Sequence, residues 1–160
     1  MRLSGPGASL RRWAKKGDQD AQALGRSRGG FTTKLHARCD GQGRPLCFVL
    51  TPGQAHDVQG FGPLFRMLAE RVEALLADKG YDADWLRTDL REAGITPVIP
   101  GKRGRKRKIR HDKRRYRERW RIEATFNRLK DFRRIATRYD KLARNYASAL
   151  ALAAVIAFWC

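Results

Sequence analysis

Apolar and polar positions along the chain fall into an ordered series of elements. Phe31 to Cys39 alternates, with Thr32, Thr33, Leu35 and Ala37, and predicts a strand. Asp40-Gly41-Gln42-Gly43 is a turn signal, and Leu46 to Leu50 reads as a second strand stopped by Thr51-Pro52-Gly53. Together they predict an antiparallel hairpin. Val58 to Glu73 places Phe61, Leu64, Phe65, Leu68 and Val72 at helical spacing, with Asp57 as a cap. Ala74 to Ala77 reads as a short buried strand that ends at Asp78, and Lys79-Gly80 turns the chain out of it. Ala83 to Ala93 reads as a helix with Asp82 as N-cap and Gly94 as stop. Ile95 to Ile99 is a third apolar strand, which Pro97 assigns to a sheet edge. Gly101 to Arg115 has few apolar residues and reads as a mobile loop. A helix over Lys113 to Asp131 and a last, apolar helix over Lys141 to Trp159 follow. Residues 1–30 are punctuated by glycine and offer only a short helix that Ser9 would cap, running through Lys16. No internal repeat is present. The order β-β-α-β-α-β, then two helices, predicts an α/β fold on one mixed sheet, with right-handed crossovers between residues 46 and 99.

The helix over Lys113 to Asp131 carries a patterned polar edge. At 100° per residue Tyr116, Arg119, Glu123 and Lys130 fall at about 0°, 300°, 340° and 320°, within roughly 60° of arc and about 21 Å of length. Ile122, Phe126 and Leu129 form a separate apolar face. A carboxylate flanked by cations on one helical edge can hold a divalent metal beside a phosphate backbone. Asp78, at the end of a strand, is the other placed carboxylate, because ligands of open α/β sheets bind at strand ends. An Asp and a Glu brought together would suit Mg²⁺, which prefers oxygen ligands, and two such ions can activate a nucleophile and stabilise a leaving oxygen at a phosphodiester. With equal weight, Asp78 caps the following turn and Glu123 pairs with Arg119 on a solvated helix.

Charge narrows the partner. The 160 residues carry a net +19 with a pI near 11.0, which points to a polyanion and most simply to nucleic acid. Residues 101–160 hold 20 Lys and Arg against 5 Asp and Glu, while residues 1–100 hold 15 against 11. The run 102–119 alone has 12 Lys and Arg, among them Lys102, Arg103, Arg105, Lys106, Arg107 and Lys108, against Asp112 and Glu118. Such a run gives affinity and salt dependence without sequence specificity, and reads equally as a solvated surface. Tyr116 and Trp120 beside it read as core or interface aromatics, or as stacking platforms for an unpaired base.

Several functions are excluded or left without support. Cys39, Cys47 and Cys160 are scattered, so neither a zinc site nor a disulfide framework is indicated, and free thiols suit a reducing cytoplasm. His36, His56 and His111 are far apart and form no metal-binding pair. There is no phosphate-binding glycine loop of either common kind and no serine nucleophile elbow. Ala147 to Cys160 is apolar over 14 residues, short for a membrane span and suited to a buried helix.

Several segments together resemble the C-terminal part of a bacterial insertion-sequence transposase of the DDE class, in the insertion-sequence-five group. They are Gly25-Arg-Ser-Arg-Gly-Gly-Phe-Thr-Thr-Lys34, Leu50-Thr-Pro-Gly-Gln-Ala-His-Asp57, Ala77-Asp-Lys-Gly-Tyr-Asp82, Pro97-Val-Ile-Pro100, Tyr116 through Lys130, and Arg133 through Asn145. The resemblance implies a ribonuclease H-like mixed sheet over residues 25–160. It also implies an Asp-Asp-Glu site holding Mg²⁺ or Mn²⁺, which cuts DNA at transposon ends and joins it to target DNA. Asp78 matches the second acid, and Glu123 the third, within the Tyr-Arg-Glu-Lys signature. By the same match Tyr116, Arg119 and Lys130, with Arg133 and Arg134, contact DNA. The first acid has no match. Residues 1–24 read as a poorly structured segment, and Asp18 and Asp20 sit in a polar stretch, Lys15-Lys-Gly-Asp-Gln-Asp20. The expectation is a domain lacking its first central strand, a fragment or second-frame product. By itself it would be inactive, or it would need an upstream-frame protein or the full-length transposase as partner. The alternative is a non-catalytic DNA-binding regulator or inhibitor of that transposase. Either would act in the bacterial cytoplasm, on the nucleoid.

Overall fold

A computed structural model of the chain describes residues 2–4, 22–27, 30–67 and 72–160. Helices and small sheets alternate, and the chain divides into two compact units, residues 1–55 with 122–160, and residues 56–121. The helix expected at Ser9 to Lys16 lies outside the described residues, as do Asp18 and Asp20.

The first unit is built on an antiparallel hairpin. Strand β3 (Gly30–Cys39) pairs with β4 (Pro45–Pro52) from Thr33↔Pro52 to Arg38↔Cys47, and slips register at Arg38/Cys39. Asp40 makes the turn: its Oδ1 accepts the N–H groups of Gln42 and Arg44, each at 2.9 Å, and its Oδ2 takes Arg44 Nε at 2.7 Å. Gly43 supplies the positive φ of 86° that the return requires. Two strands unsignalled in the sequence extend this sheet. Strand β1 (Arg2–Ser4) pairs with β3 through Leu3↔Thr33, on the edge opposite β4. Strand β2 (Gly25–Ser27) pairs with β3 through Arg26↔Phe31. A short strand thus lies within residues 1–24, which the sequence reads as poorly structured. Three residues are too few to show a period-2 pattern, and the ladder to β3 rather than side-chain alternation defines β1. That strand contains no aspartate.

Helix α4 (Trp120–Lys130) from Ile122 onward, α5 (Arg133–Ala136) and α6 (Ala143–Phe158) complete this unit. Leu129, Ile135, Tyr146, Leu150, Ala153 and Ala154 pack with Leu35 of β3 in one core. Thr125 fixes α4 to the hairpin by donating to Gly43 O at 2.5 Å and accepting from Cys39 Sγ at 3.9 Å. Burial pushes the Cys39 thiol up to about 11 against the opposing effect of Thr125, so it stays a protonated core group. The last helix is not buried all round as its composition suggested. Leu152, Val155, Ile156 and Trp159 are exposed at helical spacing, and no helix among the described residues is long and apolar enough to cross a membrane.

The second unit holds a parallel pair, β5 (Ala74–Leu76) and β6 (Thr96–Val98), joined through α2 (Asp84–Glu92). Leu86 and Leu90 of α2 pack with Phe61, Ile95 and Ile99 in a second core. Helix α2 ends in a Schellman turn: Ile95 N–H reaches Leu90 O at 2.8 Å, Gly94 N–H reaches Arg91 O at 2.9 Å, and Gly94 has φ 73°. The long helix expected over Val58 to Glu73 is instead a 3₁₀ turn at Asp57–Gly60 followed by α1 (Phe61–Arg66), because Gly60, Gly62 and Pro63 weaken its start. His56, not Asp57, is its N-cap residue. Likewise Ala83, not Asp82, is the N-cap of α2. The single mixed sheet of the sequence reading is two sheets, one antiparallel around β3 and one parallel, since β5 and β6 pair only with each other among the described strands.

Candidate nucleic-acid interface

In the second unit the chain leaves β6 and enters the basic run. Its first residues are tied to a carboxylate. The carboxylate of Asp82 is fully buried and takes Arg87 Nη2 at 2.7 Å and Nε at 3.1 Å on Oδ1, and Lys102 N–H at 2.7 Å and Arg105 Nε at 2.6 Å on Oδ2. Arg105 also pairs with Asp84 at 2.7 Å. Burial alone would push the Asp82 carboxyl up. The hydrogen bonds from Arg105, from the Lys102 N–H and from Arg87 outweigh burial and hold it far below the usual carboxylate range. The side chains of Lys102, Arg103, Lys106, Arg107 and Lys108 are exposed, with no acidic partner among the described residues. Five of the six loop cations named from the sequence thus face solvent, and the sixth, Arg105, is taken up by two carboxylates.

The expected continuous helix from Lys113 is broken. Helix α3 (Lys113–Arg117) is capped by Asp112, whose Oδ1 accepts the N–H groups of Arg114 at 2.8 Å and Arg115 at 3.0 Å. The chain then tightens: Glu118 N–H bonds to Arg115 O, Arg119 N–H to Tyr116 O, and Arg121 N–H to Glu118 O, each a three-residue step. Helix α4 starts after this turn. The polar edge computed for one ideal helix therefore does not run through all four residues. Tyr116 is half-buried, with the Arg119 guanidinium 5.5 Å from its ring centre and His111 edge-on at 5.2 Å. Trp120, 58% exposed, is no core residue.

Glu123 and Lys130 lie in the first and last turns of α4, both exposed and seven residues apart, so they share one edge about 10 Å apart. Ile122, Phe126 and Leu129 take the apolar side, as their spacing indicated. Beyond α4, Arg133 is exposed, while Arg134 is paired with Asp140 at 2.7 Å.

Asp78 stands exposed, two residues past β5, a strand that is half-buried rather than buried. It caps the 3₁₀ turn Lys79–Tyr81, its Oδ1 accepting the Lys79 N–H at 2.6 Å. A second carboxylate lies nearby: a Cβ at Gly80 would come within 2.6 Å of Asp57 Oδ2. Burial pushes the Tyr81 phenol up, and the negative charges of Asp57 and Asp78 add to the shift. Nothing in the spacing of the His56-Asp57 pair signalled this neighbourhood. Asp78 belongs to the second unit and Glu123 to the first.

A family described as "Transposase DDE domain" matches residues 3–158, almost the whole chain. The chain belongs to the DDE transposase family. It is 31% identical over 137 residues to a protein of Burkholderia cepacia named as a transposase for insertion sequence element IS402, covering 79% of this chain and 63% of that one. It is 40% identical over 115 residues to a protein of Brucella ovis named as a transposase for insertion sequence element IS6501, covering 69% of this chain and 85% of that one. No solved structure matches this chain.

Proposed function

We propose that this chain is the DNA-binding, two-acid portion of an insertion-sequence transposase of ribonuclease H-like fold, in the insertion-sequence-five group. It grips double-stranded DNA through the 102–119 run and presents Asp78 and Glu123 toward cleavage at transposon ends and strand transfer to target DNA. Support comes chiefly from the exposed loop cations, which carry no acidic partner among the described residues. Tyr116, Arg119, Lys130 and Arg133 would add backbone contacts, while Arg134 would have to leave Asp140 to do so.

The metal question turns on donors. Asp78 and Glu123 are exposed carboxylates, and Asp78 has one oxygen engaged by a backbone N–H, so each suits one place around Mg²⁺ or Mn²⁺. Among the described residues, however, no group of three or more His, Cys, Asp or Glu side chains is gathered to hold an ion. Among the described residues the donor set falls short of a complete two-metal site, and a further carboxylate from an upstream-frame protein or the full-length transposase would complete it. A second reading is a non-catalytic DNA-binding regulator or inhibitor of the full-length enzyme. Either role places the chain on DNA in the cytoplasm.

The DNA reading is tested by titrating a duplex at increasing salt. If the run neutralises six to ten phosphates, affinity falls about 10³–10⁵-fold between 50 and 200 mM salt. Affinity that stays flat over this range would remove the run from the interface.

A further inference from the structure

A loop bearing many like charges repels itself and extends unless something fixes its base. Here the fixing group is a carboxylate. Asp82 is fully buried and takes four hydrogen bonds, two of them from Lys102 and Arg105 inside the basic loop and two from Arg87 of α2. Arg87 carries the tie onward by donating to Ile99 O, just past β6, at 2.9 Å. Arg105 adds the outer tie to Asp84. On the far side the loop closes on itself, since a Cβ at Gly101 would sit 3.4 Å from Ile109 Cβ. A single buried carboxylate thus joins a helix, a strand end and the loop.

We infer that Asp82 is a positioning residue for DNA binding: its buried carboxylate fixes the loop from Gly101 to Arg110 so that Lys102, Arg103, Lys106, Arg107 and Lys108 form a preformed phosphate-binding surface. The inference rests on the proposal that this run meets DNA. Its physical content is that a loop ordered beforehand does not spend binding energy on ordering. It also separates Arg105 from its neighbours, as part of the tie rather than of the surface.

The test compares the full chain with Asp82→Asn, and has an arm that involves no DNA. Trypsin cleavage at Arg103, Lys106, Arg107 and Lys108 reports how often the loop opens. The expected result is cleavage about tenfold faster in the variant, with circular dichroism unchanged. Affinity for a 30-base-pair duplex should fall at the same time, although the variant gains a unit of positive charge. A loop as protected as before overturns the inference, and so does an affinity that rises as charge alone requires. If Asp82→Asn does not fold, Arg105→Lys preserves charge, removes the forked contact to Asp82 and Asp84, and is read by the same two measurements. If the loop opens but duplex affinity does not fall, Asp82 holds the loop without serving DNA binding, and the inference fails. A Lys106→Gln/Arg107→Gln/Lys108→Gln variant tells the two levels apart. If it too binds DNA like the parent, the nucleic-acid reading of the loop is what has failed.

Discussion

Arg138→Ala is expected to cost the first unit about 3–5 kcal/mol and to lower its melting temperature by about 10 °C or more. Arg138 is 1% exposed, and burial pushes its guanidinium pKa down, yet it is surrounded by acceptors. Its Nη2 donates to Gln22 O at 2.9 Å and Lys141 O at 3.2 Å, its Nε to Asp140 O at 2.9 Å, and its Nη1 to Thr33 Oγ1 at 2.5 Å and Ala23 O at 3.4 Å. The cation also lies 5.3 Å from the Tyr146 ring centre. Removal would take a donor from backbone carbonyls in two segments, 140–141 and 22–23, the latter including Ala23, which is held at a positive φ of 51° unusual for alanine. Lysine, a compact point charge, cannot reproduce the fork, so Arg138→Lys should recover only part of the loss. Urea or thermal unfolding measures both variants, and a melting temperature within about 2 °C of the parent for Arg138→Ala would show that the cage does not hold the unit together.

Neutralising Lys106, Arg107 and Lys108 together to glutamine is expected to weaken duplex binding about 10- to 100-fold near 0.1 M salt and to make the salt slope shallower by about 2–3. These side chains are exposed, so stability should change little. The loss should be uniform across DNA sequences, because phosphate contacts position a protein without reading bases. A loss confined to one sequence would move these residues from backbone to base contact. Unchanged affinity would place the DNA surface elsewhere on the chain.

Local signals made the hairpin legible: alternation in Phe31 to Cys39 and the Asp40 to Gly43 turn are written in consecutive residues, and the pairing from Thr33 to Cys39 follows them. Helix α2, its Gly94 stop and helix α6 were legible for the same reason, close to their observed bounds. What remained hidden depends on distant partners. Asp82 looks like a helix cap from its neighbours alone, and its role depends on Arg87, Lys102 and Arg105. Arg138 reads as one more surface cation, although its cage reaches residues more than 100 positions earlier. The break between α3 and α4 contains neither glycine nor proline, so no residue there announces it. At the candidate site the exposed acids and loop cations were legible as residue types. The capture of Arg105, the pairing of Arg134 with Asp140 and the nearness of Asp57 to Gly80 were not, because each is set by tertiary packing.

The most direct measurement is a combined binding and nicking assay on supercoiled plasmid with Mg²⁺ or Mn²⁺, comparing the chain with its Glu123→Gln variant. On the proposal that the chain binds DNA and that a partner completes its acid set, both forms should bind, tightly and with strong salt dependence, and neither should nick. Metal-dependent nicking that disappears in Glu123→Gln would contradict the incomplete set, and no binding at low salt would contradict the DNA role itself.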